Sequence, residues 1–393
     1  MPRPLDGITV LSLEHAVAVP FATRQLAELG ARVIKIERPG TGDFARVYDA
    51  RVKGQSSYFV WANRSKESLT LDVKHPSARP ILHHLLGRCD VLIQNLAPGA
   101  AARLGLSASL LRPKFTRLIV CDVSGYGSSG PYRDKKAYDL LIQAESGLLS
   151  ITGTADAEAR AGISVADIAA GMYAYSSILA ALIQRRRTGV GSHIDLSLFD
   201  SLVEWMGNPL YYAFDGQPQA ARTGASHPSI YPYGPFATGD GKTVIFGLQN
   251  EREWAVFCAK VLQYPQLADD PRFNSNAKRS ANRDELRRLV EEIFSALTSE
   301  QVLRCLEESH IGNASVNRIA ELWTHAQLEA RGRWAQVSSP AGDIAALKPP
   351  AVFDSFDYRM DPIPALGEHN EAILSELGYS PDAIDRLRND NVI

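Results

Sequence analysis

Ile8-Thr9-Val10-Leu11-Ser12-Leu13, then Ala18 to Leu29 (AVPFATRQLAEL), then Arg32-Val33-Ile34-Lys35-Ile36-Glu37 open the chain. The first and last runs are short, apolar and rich in branched residues, so they predict strands over 8–13 and 32–37. The middle run carries apolar groups at helical spacing and predicts a helix over 18–29. The alternation continues, with helical signal at 76–87, a strand at 89–93, a helix at 100–105 and a strand at 117–123. Strands separated by helices specify an α/β fold, a mostly parallel sheet with helices on both faces.

A long apolar helix is expected to begin near Asp167 and run to Arg187, stopped by Thr188-Gly189-Val190-Gly191, with a further strand at His193–Leu198. Arg185-Arg186-Arg187 reads as favourable cation placement at a helix C-terminus. Gly, Pro and Tyr then become dense over 207–235, which marks a linker. A strand at Thr243–Leu248 and a charged helical region over 251–330, with Arg283–Leu297 amphipathic, outline a smaller domain. The tail reads as loop-rich, ending in a helical stretch at Asn370–Leu377.

The 393 residues, 45% hydrophobic and 22% charged with a net charge of -2, describe a globular chain with no basic excess to attract nucleic acid or an anionic membrane. The mean hydropathy is -0.14. No stretch reads as a signal peptide or as a bilayer span, so a cytoplasmic enzyme or binding protein is expected. Cys89, Cys121, Cys258 and Cys305 lie far apart, without metal-ligand spacing and without the density of a disulfide framework.

Gly125-Tyr126-Gly127-Ser128-Ser129-Gly130 matches GxGxxG formally, but a turn rich in helix breakers follows instead of a helix, which argues against a dinucleotide site. Gly239-Asp240-Gly241-Lys242-Thr243 lacks the first glycine of a P-loop and reads as a hairpin turn. Asp167 stands in Ile163-Ser164-Val165-Ala166-Asp167-Ile168-Ala169-Ala170-Gly171, among small residues that leave space around its carboxylate. Taken alone it reads first as a helix cap. The alternative is a nucleophilic carboxylate, kept ionised by the helix N-terminus. Arg38, Lys74, Arg103, Lys135 and Lys136 lie beyond strands or at turns, where open α/β sheets bind ligands, and suit a ligand with several phosphates.

These segments together resemble the class III coenzyme A transferases, the family of formyl-CoA transferase, carnitine CoA-transferase and alpha-methylacyl-CoA racemase. The resemblance spans nearly the whole chain, through Leu5-Asp6-Gly7, Leu29-Gly30-Ala31, Asn63-Arg64-Ser65-Lys66, Leu71-Asp72-Val73-Lys74, Asn95-Leu96-Ala97-Pro98-Gly99, Ser124-Gly125-Tyr126-Gly127, the Asp167 segment and Leu366-Gly367-Glu368-His369-Asn370. It implies a large Rossmann-like domain from residues 1–205 with 331–393, a crossing linker over 206–235, and a small α+β domain with its return linker over 236–330. It further implies a homodimer of two interlocked rings.

By the same resemblance Asp167 is the nucleophile, and coenzyme A contacts fall on Arg38, Leu71, Asp72, Val73, Lys74, Asn95, Leu96, Ala97, Arg103, Lys136, Ala137 and Tyr138. CoA and acyl-CoA are substrates, with no resident cofactor and no metal. The family's racemases carry a histidine where this chain has Tyr138, so transfer is favoured over racemisation or epimerisation. The text around Glu14–Gln25 and Gly247–Trp254 is similar to enzymes moving CoA from succinyl-CoA to itaconate, citramalate, malate or mesaconate. In that reading the loop His15–Ala18, with Val17, lines the acid pocket. His15 leads as partner of the second carboxylate, ahead of Arg222 and His227.

Overall fold

The computed structural model describes residues 1–393, which form two compact units. The first unit comprises Met1–Leu148, Ala161–Asn208 and Ala330–Ile393; the second comprises Leu149–Arg160 and Pro209–Glu329.

The first unit is built on six parallel strands: β1 (Thr9–Leu13), β2 (Arg32–Glu37), β3 (Glu67–Thr70), β4 (Val91–Gln94), β5 (Ile119–Ser124) and β6 (His193–Ser197). Their order in the sheet is β3-β2-β1-β4-β5-β6, the arrangement of a doubly wound dinucleotide-binding sheet. Register is continuous across the centre, with Val10 opposite Val33 on one side and Val91 on the other. The alternating faces of these strands feed two separate cores. Val10, Val33, Val91, Ile93 and Ile119 pack under the first helix (Ala18–Glu28) and the long helix Val165–Thr188. Leu11, Ile34, Leu92 and Val120 pack under the helix Ala78–Arg88 and the C-terminal Ile373, Leu374, Ile384 and Val392.

The expected bounds of the early elements agree with the structure to within about two residues. Three readings are corrected. β3, the sequence ESLT, was not expected as a strand, being too short for a period to show. The loop-rich tail holds an antiparallel hairpin, Trp334–Val337 with Ile344–Leu347, and a last helix, Pro381–Asn389. Third, the helix Val165–Thr188 is long and apolar enough to cross a bilayer by length and composition. Here it is a core helix: Ala166, Ala170, Ala174 and Ile178 are fully buried against the first helix and the sheet.

Close approach of those two helices depends on small side chains. A Cβ added at Gly171 would meet the Ala18 carbonyl oxygen at 2.6 Å and the Phe21 ring at 2.9 Å. At the other end of the long helix, Arg185 is turned inward, not displayed with its neighbours. It bonds Asp90 at 2.9 Å and the Arg117 carbonyl at 3.2 Å.

The second unit folds around an antiparallel sheet of β7 (Tyr233–Ala237), β8 (Thr243–Gly247) and β9 (Asn313–Ser315). Phe236, Phe246, Phe257, Phe294 and Trp254 fill its core. Ala237 pairs with Thr243, so Gly239–Gly241 is a hairpin turn. The amphipathic helix is Arg283–Phe294, burying Leu286, Val290 and Phe294 at four-residue spacing. The linker is not without structure: Gly207–Tyr212 is helical, a 3-10 turn follows at Phe214–Gly216, and the chain is then irregular up to Tyr233.

Candidate active site

At the carboxyl ends of the strands the first unit opens into a cleft of about 1820 Å³. That is larger than the roughly 300–1,000 Å³ of an ordinary small-molecule pocket, and suits an extended ligand. Its position follows from topology. β1 and β4 are neighbours whose connections leave on opposite sides, so the loops beyond them diverge and leave a crevice.

Every residue singled out from the sequence for this unit lines the cleft. His15, Val17 and Ala18 follow β1, Arg38 follows β2, and Leu71 to Lys74 follow β3. Asn95, Leu96 and Ala97 follow β4, with Arg103 one turn on; Lys136, Ala137 and Tyr138 face them from the loop after β5. Gly125 makes that last loop possible, since a Cβ there would stand 2.3 Å from the Ala137 Cβ. This is the structural use of the GxGxxG match: the chain passes to a helix only at Asp139. Arg222 and His227 lie in the second unit and are engaged locally. Arg222 donates to the Thr154 carbonyl at 2.9 Å, and His227 stacks on Tyr233 at 5.3 Å.

Asp167 is in the first turn of the long helix, half-buried and open to the cleft. It does not cap that helix. The cap comes from Asp139, whose Oδ1 accepts from the Ala166 N–H at 2.8 Å and the Asp167 N–H at 3.4 Å. The expectation that the helix N-terminus keeps Asp167 ionised is therefore corrected. Burial, then the like charge of Asp139, push its pKa up from 3.8 to about 7. The N–H groups that would have favoured its charge are spent on Asp139.

His15 is held by its backbone. Asn95 Oδ1 accepts from the His15 N–H at 2.9 Å, and Asn95 Nδ2 donates to the His15 carbonyl at 2.9 Å. The Asn95 side chain is thus committed to the loop opposite. The imidazole stacks on Phe44 at 5.1 Å, and burial lowers its pKa against the opposing pull of Asp43, which favours a neutral ring.

Several lining residues carried no readable signal. Phe44, Tyr48 and Tyr58 continue from His15 as a run of aromatic contacts along one wall, with 5.7 Å and 5.4 Å between successive ring centres. Arg79 and Arg388 add cations beside Arg38, Lys74 and Arg103. Asp139 was visible only as a neighbour of Tyr138. An acid preceding one helix gives no local sign that it caps another.

A Rossmann-type sheet with a long, cation-lined cleft and one carboxyl poised near neutrality defines an enzyme that handles a polyanionic ligand. The chain belongs to CoA-transferase family III, whose model matches residues 5–370, and it is a class III CoA-transferase. It is 36% identical to the succinyl-CoA:glutarate CoA-transferase of Mus musculus, over all of this chain and 90% of that protein. With the succinyl-CoA–D-citramalate CoA-transferase of Chloroflexus aurantiacus it shares 31% identity, over all of this chain and 98% of the other. A solved CaiB/BaiF family protein from Brucella suis superposes with a TM-score of 0.85 at 33% identity, covering 96% of this chain and 100% of that one.

Proposed function

We propose that this enzyme moves coenzyme A from succinyl-CoA to a dicarboxylic acid of four or five carbons, with Asp167 as the covalent nucleophile. The acceptor class comprises glutarate, citramalate, mesaconate, itaconate and malate. The observation that carries the reading is a half-buried carboxyl, its pKa raised to about 7, lining a cleft voluminous enough for CoA and lined by cations. CoA lies along Arg38, Leu71–Lys74, Asn95–Ala97, Arg103 and Lys136–Tyr138, and the acid end meets His15, Val17 and Ala18. We further propose a homodimer of interlocked rings, a cytoplasmic setting, and domains of 1–205 with 331–393 and 236–330 joined through 206–235, save that Leu149–Arg160 falls in the second compact unit.

Asp167 attacks the thioester carbon of succinyl-CoA; the C–S bond breaks and leaves a succinyl-aspartyl anhydride and CoA thiolate. The thiolate attacks the Asp167 acyl carbon, releasing succinate and forming an aspartyl-CoA thioester. The acceptor carboxylate then displaces the thiolate to give a second anhydride. Attack of the thiolate on the acceptor's acyl carbon yields the new thioester and frees Asp167. Each step passes through an oxyanion. The first turn of Ala18–Glu28, which has no side-chain cap, supplies the N–H of Ala18, a residue that lines the cleft, to stabilise it.

The nucleophile works only when ionised, so kcat/KM should rise with pH and level off above about 7, the value to which burial and Asp139 hold Asp167. Asp139→Asn removes the like charge but not the burial. The rising limb should then move to lower pH without reaching the ordinary carboxylate range. A limb unmoved in Asp139→Asn would detach it from Asp167.

A second reading, racemisation or epimerisation of an acyl-CoA, is disfavoured by Tyr138, a phenol standing where the family's racemases carry a histidine base. Incubation with succinyl-CoA and a panel of dicarboxylates in heavy water separates the two. Transfer gives new CoA thioesters without deuterium at the alpha carbon. Deuterium incorporation with no exchange of acid would overturn the transferase reading.

A further inference from the structure

The turn that carries His15 to Ala18 is unusual at one point. Ala16 has φ +62, a left-handed conformation costly for any residue with a Cβ, and no glycine is present to ease it. Two side chains hold the turn from opposite sides. Asn95 clasps His15, and Asp43 Oδ1 accepts the Ala16 N–H at 3.1 Å. Asp43 is fully buried and absent from the cleft lining, so it has no route to substrate.

Its own placement is over-determined. The same Oδ1 accepts the Ala45 N–H at 2.9 Å, Oδ2 takes Lys35 Nζ at 2.7 Å, and its backbone N–H donates to Glu37 Oε2 at 2.9 Å. Gly42, at φ +67, lets the chain reach this point, since a Cβ there would meet Glu37 Oε2 and Leu366 Cδ1 at 2.9 Å. The turn in turn touches the helix that bears Asp167. Bare Gly171, one helical turn past Asp167, leaves the space that the Ala18 carbonyl fills. A shift of the turn therefore alters directly the placement of the Ala18 N–H relative to Asp167.

We propose that Asp43 is a positioning residue for CoA transfer: by accepting the Ala16 N–H it fixes the turn that faces the Asp167 acyl group. The inference rests on the transferase reading above and adds to it a residue that touches neither CoA nor acid. The role belongs to an oxygen at this position, not to its negative charge. Lys35 keeps Glu14 as a second partner at 3.3 Å when that charge is removed.

The test uses the full-length protein, with kcat for transfer from succinyl-CoA to a dicarboxylate measured beside the Kd for CoA. Asp43→Ala should lower kcat roughly tenfold to a hundredfold, with CoA affinity changed less than about twofold. Asp43→Asn keeps an oxygen for the Ala16 and Ala45 N–H groups and should remain within about threefold of the wild-type kcat. Adding Ala16→Gly to Asp43→Ala should recover about fivefold or more, because glycine adopts φ +62 without a tether.

An unchanged kcat in Asp43→Ala overturns the proposal, as does a loss of CoA affinity that matches the loss of kcat. Failure of both Asp43→Asn and Ala16→Gly to restore rate overturns it too, by assigning the effect to the buried charge. If Asp43→Ala is recovered unfolded, Asp43→Asn decides alone. A loss of about tenfold with intact CoA binding then counts against the proposal. Wild-type protein without transfer activity overturns the functional reading itself, an outcome distinct from active wild type with an indifferent Asp43.

Discussion

Asp167→Asn should lower CoA transfer by roughly 10³-fold or more while leaving the protein folded. The amide has nearly the shape of the carboxyl but cannot form the anhydride, so no covalent route remains. Folding should not suffer, because Asp167 is a cost to the native state. Burial and the neighbouring Asp139 raise its pKa from 3.8 to about 7. Below about pH 4 the group is protonated whether the chain is folded or not. Between there and about 7 the unfolded chain ionises while the folded one holds its proton, so stability falls, and above that range the cost is constant. Asparagine removes this titration. Thermal melts at pH 8 should show a variant at least as stable as wild type, with any gap closing in acid. Hydroxylamine should cleave an adduct from wild type incubated with succinyl-CoA, and peptide mass should place it on Asp167. Near-wild-type turnover in the variant, or an adduct on another residue, would end the assignment.

Much of this architecture was legible because it is local. The strand–helix–strand reading of 8–37 needs only periodicity within a short window, and the cleft follows from a parallel sheet whose loops diverge between β1 and β4. Asp167 was visible because small residues surround it in the chain itself. What stayed hidden is long-range. Asp139 caps a helix 27 residues later in the chain, so nothing near Asp167 announces that its N–H groups are taken. Asn95 and His15 are 80 residues apart, and each alone reads as an ordinary polar residue at a strand end. Ala16 carries none of the glycine or asparagine that usually marks a left-handed turn. The aromatic wall of Phe44, Tyr48 and Tyr58 lies on or beside two short helical turns, Phe44–Val47 and Ser57–Ala62, with no repeat to expose it.

The largest effect on stability is expected from Glu14→Ala. Glu14 directly follows β1, with its side chain wholly buried among charges. Its Oε1 accepts from Lys66 Nζ at 2.7 Å and Lys35 Nζ at 3.3 Å, and its Oε2 accepts from the Thr23 hydroxyl at 2.6 Å. Burial alone would raise this carboxyl's pKa, but Lys66 and Lys35 outweigh it and hold it at about 2. Lys66 has no solvent to turn to. It donates also to the Pro20 carbonyl and Asn63 Oδ1, both at 3.0 Å, and burial lowers its pKa to about 7 even with Glu14 beside it. Without Glu14, Lys66 loses its bonded counter-charge in a low-dielectric site and must either shed its proton or stay charged with only the pull of Asp43. Removing one member of a buried ion pair in this way costs about 3–5 kcal/mol. Glu14→Gln, which keeps the shape and an acceptor oxygen, should cost less. In urea the Glu14→Ala midpoint should fall with an unchanged slope, since the surface exposed on unfolding is nearly the same. The pH dependence supplies a second signature. A carboxyl held at about 2 instead of 4.5 stabilises the fold above about 4.5 and loses that contribution as pH falls through about 2. Wild type should therefore lose stability over this acid range more steeply than Glu14→Ala. A variant within about 0.5 kcal/mol of wild type at pH 7 would mean that the buried network beneath the active-site turn does not depend on Glu14.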